Sequence, residues 1–161
     1  MRPESSPEAT IDDLSRERGK AELVNGRIIR MPAAGGWHGY ASTQIAASLT
    51  EYERRTKAGH AFADNVGLVV SLPHRRSFSP DAAWYVGPLT PEFVQGAPLF
   101  AVEVRSPSDY GPAAERVMAA KRVDYFAAGA LVVWDVDLLG DDVVRVHRAS
   151  DPARPRVYGR G

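Results

Sequence analysis

Short apolar runs alternate along the chain with polar or Gly/Pro-rich breaks. In AELVNGRIIRMP, apolar residues flank Asn25-Gly26, a strong two-residue turn signal, which predicts a hairpin whose second strand ends before Pro32. Tyr40, Ala41, Ile45, Ala46, Leu49 and Tyr52 recur at helical spacing and predict a helix over residues 38–58 with one buried face. Its last turns, ERRTK, are basic, and Gly59 is the expected stop. HAFADNVGLVVSLP predicts one or two strands broken near Asn65 and Gly67, and DAAWYVG another. Residues 88–98 mix breakers with few apolar positions and predict a loop.

LFAVEV is the most strand-like stretch and is expected to be central. After the turn Ser106-Pro107-Ser108-Asp109, Gly111 and Pro112 lead into a helix reaching residue 128 and ended by Gly129. Val117, Ala120, Val123, Tyr125, Phe126 and Ala127 are its expected buried contacts. ALVVWDVD predicts a second buried strand, and DVVRVHRA alternates like an edge strand. Residues 11–17 predict a short helix with Thr10 or Asp12 as its cap. LFAVEV, helix and ALVVWDVD together form a strand–helix–strand crossover, so the fold class is α/β with a mixed sheet. Residues 1–10 are expected to be a loose leader, 11–149 a single domain, and the Pro-, Arg- and Gly-rich residues 150–161 a peripheral tail.

Composition narrows the function classes. The 161 residues are enough for one domain with a core. Lys plus Arg and Asp plus Glu both total 20, so the chain is not a globally basic nucleic-acid binder, although a local basic face is compatible. Without cysteine there is neither a disulfide nor a thiolate metal site. The polar, acidic N-terminus is unlike a signal peptide, and no run is long and apolar enough to cross a membrane; a soluble cytoplasmic protein is the default. The phosphate-gripping patterns GxGxxG and GxxxxGK[ST] are absent, as are GxSxG and HExxH.

The candidate chemistry lies in residues 79–121. Asp81 opens one apolar strand and Glu103 sits in the middle of another. A carboxylate there costs several kcal/mol unless it is paired, protonated or bound to a metal. On side-by-side strands both can point into one cleft, and one or two carboxylates suffice for Mg²⁺, which keeps several of its waters. The plainer readings are a turn role for Asp81 and a structural salt bridge for Glu103. Arg105 shares the Glu103 face of its strand and would either clamp a phosphate oxygen or neutralise Glu103. Lys121, in the middle of the following helix, would face the Glu103 strand or pack its stem on the surface. Glu22 would be a third ligand if the fold brings it close, and His38 would contact phosphate or cap its helix. Asp109 reads as a cap, and Asp135 and Asp137 as strand-end residues. Arg54, Arg55 and Lys57, with the HRR run at residues 74–76, form two basic clusters that would attract phosphate if they flank the cleft.

Pro80-Asp81 followed by Glu103-Val104-Arg105 resembles the PD-(D/E)XK nuclease superfamily. Within it, the ordered blocks ELVNGRIIRMP, the His38 helix start, SPD, VEVRSPSD, the Lys121 helix through DYFAAG, and LVVWDVD resemble the "Uma" group, a group assigned to restriction endonucleases by similarity. The resemblance covers most of residues 21–148. It implies a restriction-endonuclease-like core, a mixed central β-sheet flanked by helices, with an N-terminal β-hairpin. It implies a Mg²⁺-dependent endonuclease acting on DNA, with Mn²⁺ as a substitute. Asp81 and Glu103 would hold the metal together with the Val104 carbonyl. Arg105 stands where the motif usually has lysine, and the resemblance implies that Lys121 supplies that amine, with Glu22 completing the site. A homodimer is the expected assembly for double-strand cutting. Members of the group usually continue past the last alternating strand, so a compact or trimmed C-terminus is expected here. The alternative is a catalytically inactive nuclease-like binding or structural protein.

Overall fold

The structure, a computed structural model, describes residues 6–161. Of the expected leader, residues 1–5 lie outside the described residues. Helix α1 (Ile11–Ser15) starts at a reciprocal cap: Thr10 Oγ1 accepts from the Asp13 N–H, and Asp13 Oδ2 accepts from the Thr10 N–H. Strands β1 (Ala21–Val24) and β2 (Arg27–Arg30) form the hairpin. Asn25 (φ 51°) and Gly26 (φ 69°) both take the left-handed conformation that a tight two-residue turn requires.

Helix α2 (Gly36–Thr56) begins two residues before His38 and stops at Lys57, which adopts the left-handed cap itself. Gly59 therefore does not end the helix. A Cβ there would sit 2.8 Å from the Tyr85 carbonyl oxygen and from the Trp84 ring, so glycine permits close packing. Next come β3 (His60–Phe62), β4 (Leu68–Val69), β5 (Ser77–Phe78), β6 (Ala82–Tyr85) and β7 (Val94–Gln95), the last a two-residue strand inside the expected loop. Strand β8 (Phe100–Val104), helix α3 (Pro112–Ala128) and strand β9 (Val132–Asp137) form the expected crossover, with β8 and β9 parallel. The chain closes with β10 (Val143–Arg148) and β11 (Asp151–Gly159).

The main sheet has six strands in the order β11-β10-β9-β8-β6-β3, so β8 is interior. Strand β10 is not an edge: β11 pairs antiparallel along it, from Val143↔Gly159 to Val146↔Arg156. Pro152 and Pro155 hide the strand character of residues 151–159 in the sequence, because proline lowers strand expectation without forbidding an outer strand. A three-stranded sheet, β5-β4-β7, and the hairpin lie outside the main sheet.

The main sheet is sandwiched between α2 and α3. Val102 and Val104 pack on the α2 side with Ala46, Ala82 and Val136. Ala101 faces the other way and packs with Phe78, Val133 and Tyr125 of α3. The alternation along β8 therefore sends Glu103 toward α3. Two helix faces depart from expectation. Tyr40 and Tyr52 of α2 are exposed, and so are Val117, Ala120, Val123 and Ala127 of α3; Tyr125 is buried as expected, and so is Asp124. The apolar pattern of α3 misleads because charged partners on other elements neutralise and enclose its polar stripe.

Candidate active-site cleft

A cleft of about 720 Å³ opens between the hairpin, the start of α2, the ends of β6 and β8, and α3. Asp81 immediately precedes β6, and the antiparallel register Ala82↔Val102 makes Glu103 its counterpart one step on. The Asp81 N–H donates to the Val102 carbonyl at 2.9 Å. Its carboxylate oxygens have different partners. Oδ2 accepts from the Val104 N–H at 2.7 Å and lies 3.3 Å from His38 Nε2, whereas Oδ1 accepts from Lys20 Nζ at 2.7 Å. Burial pushes the Asp81 carboxyl up, but the His38 bond, the Lys20 ammonium and the Val104 amide outweigh it and hold it at about 2. The His38 imidazole is correspondingly pushed up by its bond to Asp81, while its buried Nδ1 has no partner among the described residues.

Glu103 Oε1 lies 2.7 Å from Lys121 Nζ and accepts from the Tyr125 hydroxyl at 2.6 Å. Burial pushes the Glu103 carboxyl up; Lys121 opposes this, and Asp81 and Glu22 add to it. Glu22, on β1, is buried and fully engaged. Oε1 accepts from the Ser79 N–H and meets Lys121 at 2.8 Å, and Oε2 meets Arg75 Nη1 at 2.7 Å. Burial raises its carboxyl, yet Lys121 and Arg75 bring it below the ordinary value. Lys121 thus bridges two carboxylates from different sheets. Burial works against its charge, but Glu103 and Glu22 hold its pKa above the ordinary value, so it is an ammonium donor at neutral pH rather than a proton acceptor.

Asp81, Glu103, Val104, Lys121, Glu22 and His38 therefore lie in one assembly. Arg105 borders the same cleft but is turned to other work. It grips Asp135 through two 2.8 Å bonds and Glu115 through bonds of 2.5 and 3.1 Å, and burial does not prevent these partners from raising its pKa. It does not pair with Glu103. Asp109 accepts from the Ser106 N–H within the turn rather than capping α3. Asp135 and Asp137 are buried members of a network with Arg105, Arg145 and Tyr110.

Lys20, Asp64 and Asp124 had no assignment from sequence, and His74 and Arg75 figured there only within a phosphate-attracting basic run. Lys20 lies one residue before β1 and also meets Asp64, at 2.5 Å. Arg75, from the HRR run, is buried rather than solvated and joins Glu22 to Asp124, while His74 reaches Asp124 at 2.5 Å. The chain has only three lysines, Lys20, Lys57 and Lys121, and that scarcity was the one available signal for Lys20, as the basic run HRR was for Arg75.

The resemblance implies a divalent ion held by these donors. Among the described residues no group of three or more His, Asp or Glu side chains converges on a metal position. Two carboxylates that face one cleft nonetheless offer the hard oxygens that Mg²⁺ takes while retaining water, so the chemistry of the donors fits. In the structure, the charges of these carboxylates are balanced by Lys20 and Lys121.

Comparison with known proteins agrees with this architecture. A family model described as "Uma2: Putative restriction endonuclease" matches residues 9–158. A crystal structure described as a "putative nuclease belonging to DUF820", from Anabaena variabilis, superposes with a TM-score of 0.73 at 18% identity, covering 94% of this chain and 84% of that one. That likeness shows a shared fold. No curated protein matches the chain. Among the described residues no helix is long and apolar enough to cross a membrane. The chain belongs to the Uma2 family and has its restriction-endonuclease-like architecture.

Proposed function

From this membership, we propose that the chain is a divalent-metal-dependent endonuclease that hydrolyses DNA phosphodiester bonds. The observation that carries the reading is the meeting of Asp81 and Glu103 on adjacent antiparallel strands, with Lys121 shared between Glu103 and Glu22. A Mg²⁺ or Mn²⁺ ion held by Asp81, Glu103 and the Val104 carbonyl would supply an acidified water and charge stabilisation at the phosphoryl oxygens. Lys121, kept protonated, orients the water and the phosphoryl group by donation. Glu22 fixes that ammonium from behind, and His38 steadies Asp81. Arg105, committed to Asp135 and Glu115, supports the cleft wall rather than gripping phosphate. A homodimer presenting two clefts to a duplex is the assembly that fits double-strand cutting.

The second reading is a nuclease-like binding or structural protein without catalysis. Two observations favour it, and more directly than any favours hydrolysis. Asp81, Glu103 and Glu22 each already have a cationic partner within the chain, and no three-ligand group converges among the described residues.

Plasmid, single-stranded DNA and RNA offered with Mg²⁺ or Mn²⁺ separate the two readings. Hydrolysis expects metal-dependent cleavage of DNA that is lost in Asp81→Ala and in Glu103→Ala. Cleavage retained by the purified double variant rejects this site. Folded protein that binds DNA but neither cleaves it nor takes up Mn²⁺ establishes the second reading.

A further inference from the structure

We propose that Lys20 is a tethered competitor for the metal position: its ammonium compensates Asp81 in the ion-free protein, and a divalent cation binds by displacing it toward Asp64. The proposal rests on the hydrolase reading above and concerns the regulation of that site.

Two carboxylates in a poorly solvated cleft require positive charge nearby at all times. Two lysines supply it, and their situations differ. Lys121 is held by Glu22, itself fixed by Arg75 and the Ser79 amide, so its place is set by a closed network. Lys20 instead spans from buried Asp81 to Asp64, whose side chain is 42% exposed. Its backbone is anchored at the hairpin base, where the Lys20 carbonyl accepts the Met31 N–H at 2.9 Å. The four-carbon stem beyond that anchor is flexible, and the compact ammonium can exchange one carboxylate for another.

The division of labour on Asp81 points the same way. Oδ2 is committed to the Val104 amide and faces His38, whereas Oδ1 has Lys20 as its partner. Oδ1 is thus the oxygen that becomes available when Lys20 swings away. Glu103 also acts electrostatically on Lys20, so the ammonium sits in the combined field of both proposed ligands. Asp64 gives the released ammonium a half-solvated partner, which lowers the cost of exchange.

The test is Mn²⁺ binding to the metal-free full chain by calorimetry, with manganese EPR as a second readout. Lys20→Met keeps the stem and removes the charge. It should bind Mn²⁺ about tenfold more tightly or better, since a competing charge at contact distance is gone. The metal-free variant should also melt at a lower temperature than the parent and regain the difference when Mn²⁺ is added. Adding Asp81→Ala to Lys20→Met should abolish the gain, tying it to this carboxylate. Asp64→Asn, at a half-solvated position, should weaken Mn²⁺ binding because the displaced ammonium loses its landing point. Equal or weaker Mn²⁺ binding by Lys20→Met overturns the role of Lys20 and leaves the hydrolase reading standing. If Lys20→Met does not fold, unchanged or tighter binding by Asp64→Asn overturns that role. Absence of Mn²⁺ binding in the parent and in the variants overturns both.

Discussion

Lys121 of α3 and Glu103 of β8 form a 2.7 Å ion pair whose cation is shared with Glu22 of the hairpin. Lys121→Met would leave one buried and one half-buried carboxylate without their common partner. Breaking such a pair from one side costs roughly 3–5 kcal/mol, and that loss is expected in urea denaturation at pH 7. The deficit should shrink toward pH 4, where Glu103, already pushed up by burial, takes a proton. A variant as stable as the parent at both pH values would show that water compensates these carboxylates.

Arg105→Lys tests whether the usual motif lysine can be restored at its usual place. The guanidinium forks onto Asp135 and Glu115 at once, and an ammonium cannot reproduce two planar grips. The substitution should cost roughly 1.5–3 kcal/mol by denaturation and leave Mn²⁺ affinity unchanged. A gain in metal binding or cleavage would instead place residue 105 among the reacting groups.

Tyr125→Phe removes a single donor to Glu103 and keeps the ring stacked on Phe78 at a centroid distance of 4.0 Å. The fold should survive with a loss of roughly 1–3 kcal/mol. The lost bond stabilised the charged carboxylate, so the Glu103 pKa should rise further, a change visible in a carbon-detected NMR titration. An unchanged titration would mean that the hydroxyl does not donate to Glu103 in solution.

Asp137, two residues beyond Asp135 and so on the same face of β9, carries acid sensitivity outside the Asp81–Glu103 pair. Burial raises its carboxyl, but Tyr110, the Gly140 and Asp141 amides and Arg145 hold it below the ordinary 3.8. A depressed carboxylate contributes its full stability above the unfolded value, near 3.8, and loses it as pH falls through the lower folded value. Asp137→Asn should therefore destabilise the protein at pH 7 by roughly 1.5–3 kcal/mol and narrow the gap to the parent below pH 3.8. A pH-independent difference would assign the effect to packing.

Local signals made much of the fold legible in the sequence. The Asn25-Gly26 pair set the hairpin, and Gly129 marked the end of α3. The apolar run of β8 announced an interior strand. Asp81, Glu103 and Glu22 drew notice as charges among apolar neighbours and Lys121 by its place in the helix after Glu103, and the fold brings them together. What stayed hidden depends on partners far away in the chain. Asp124 carried no signal of its own and is buried between Arg75 and His74, and Lys20 had no visible use before Asp81 was placed beside it. Periodicity misplaced Val117 and Val123 because it weighs apolar residues and is blind to a compensated charge.

Strand β1 supplies Glu22 and the residue just before the strand is Lys20, yet their hairpin is a two-stranded sheet of its own, fastened by the Glu22 contacts to Arg75, Lys121 and Ser79 and by a few backbone bonds. The Leu23 N–H donates to Ser77 Oγ, the Arg76 N–H to the Leu23 carbonyl, and the Asn25 N–H to the His74 carbonyl. One opening event that unlatches β1 would therefore withdraw an ammonium and a carboxylate together, without disturbing the six-stranded sheet. Amide hydrogen exchange at Leu23 and Asn25 thus becomes a clock for how often the cleft is dismantled.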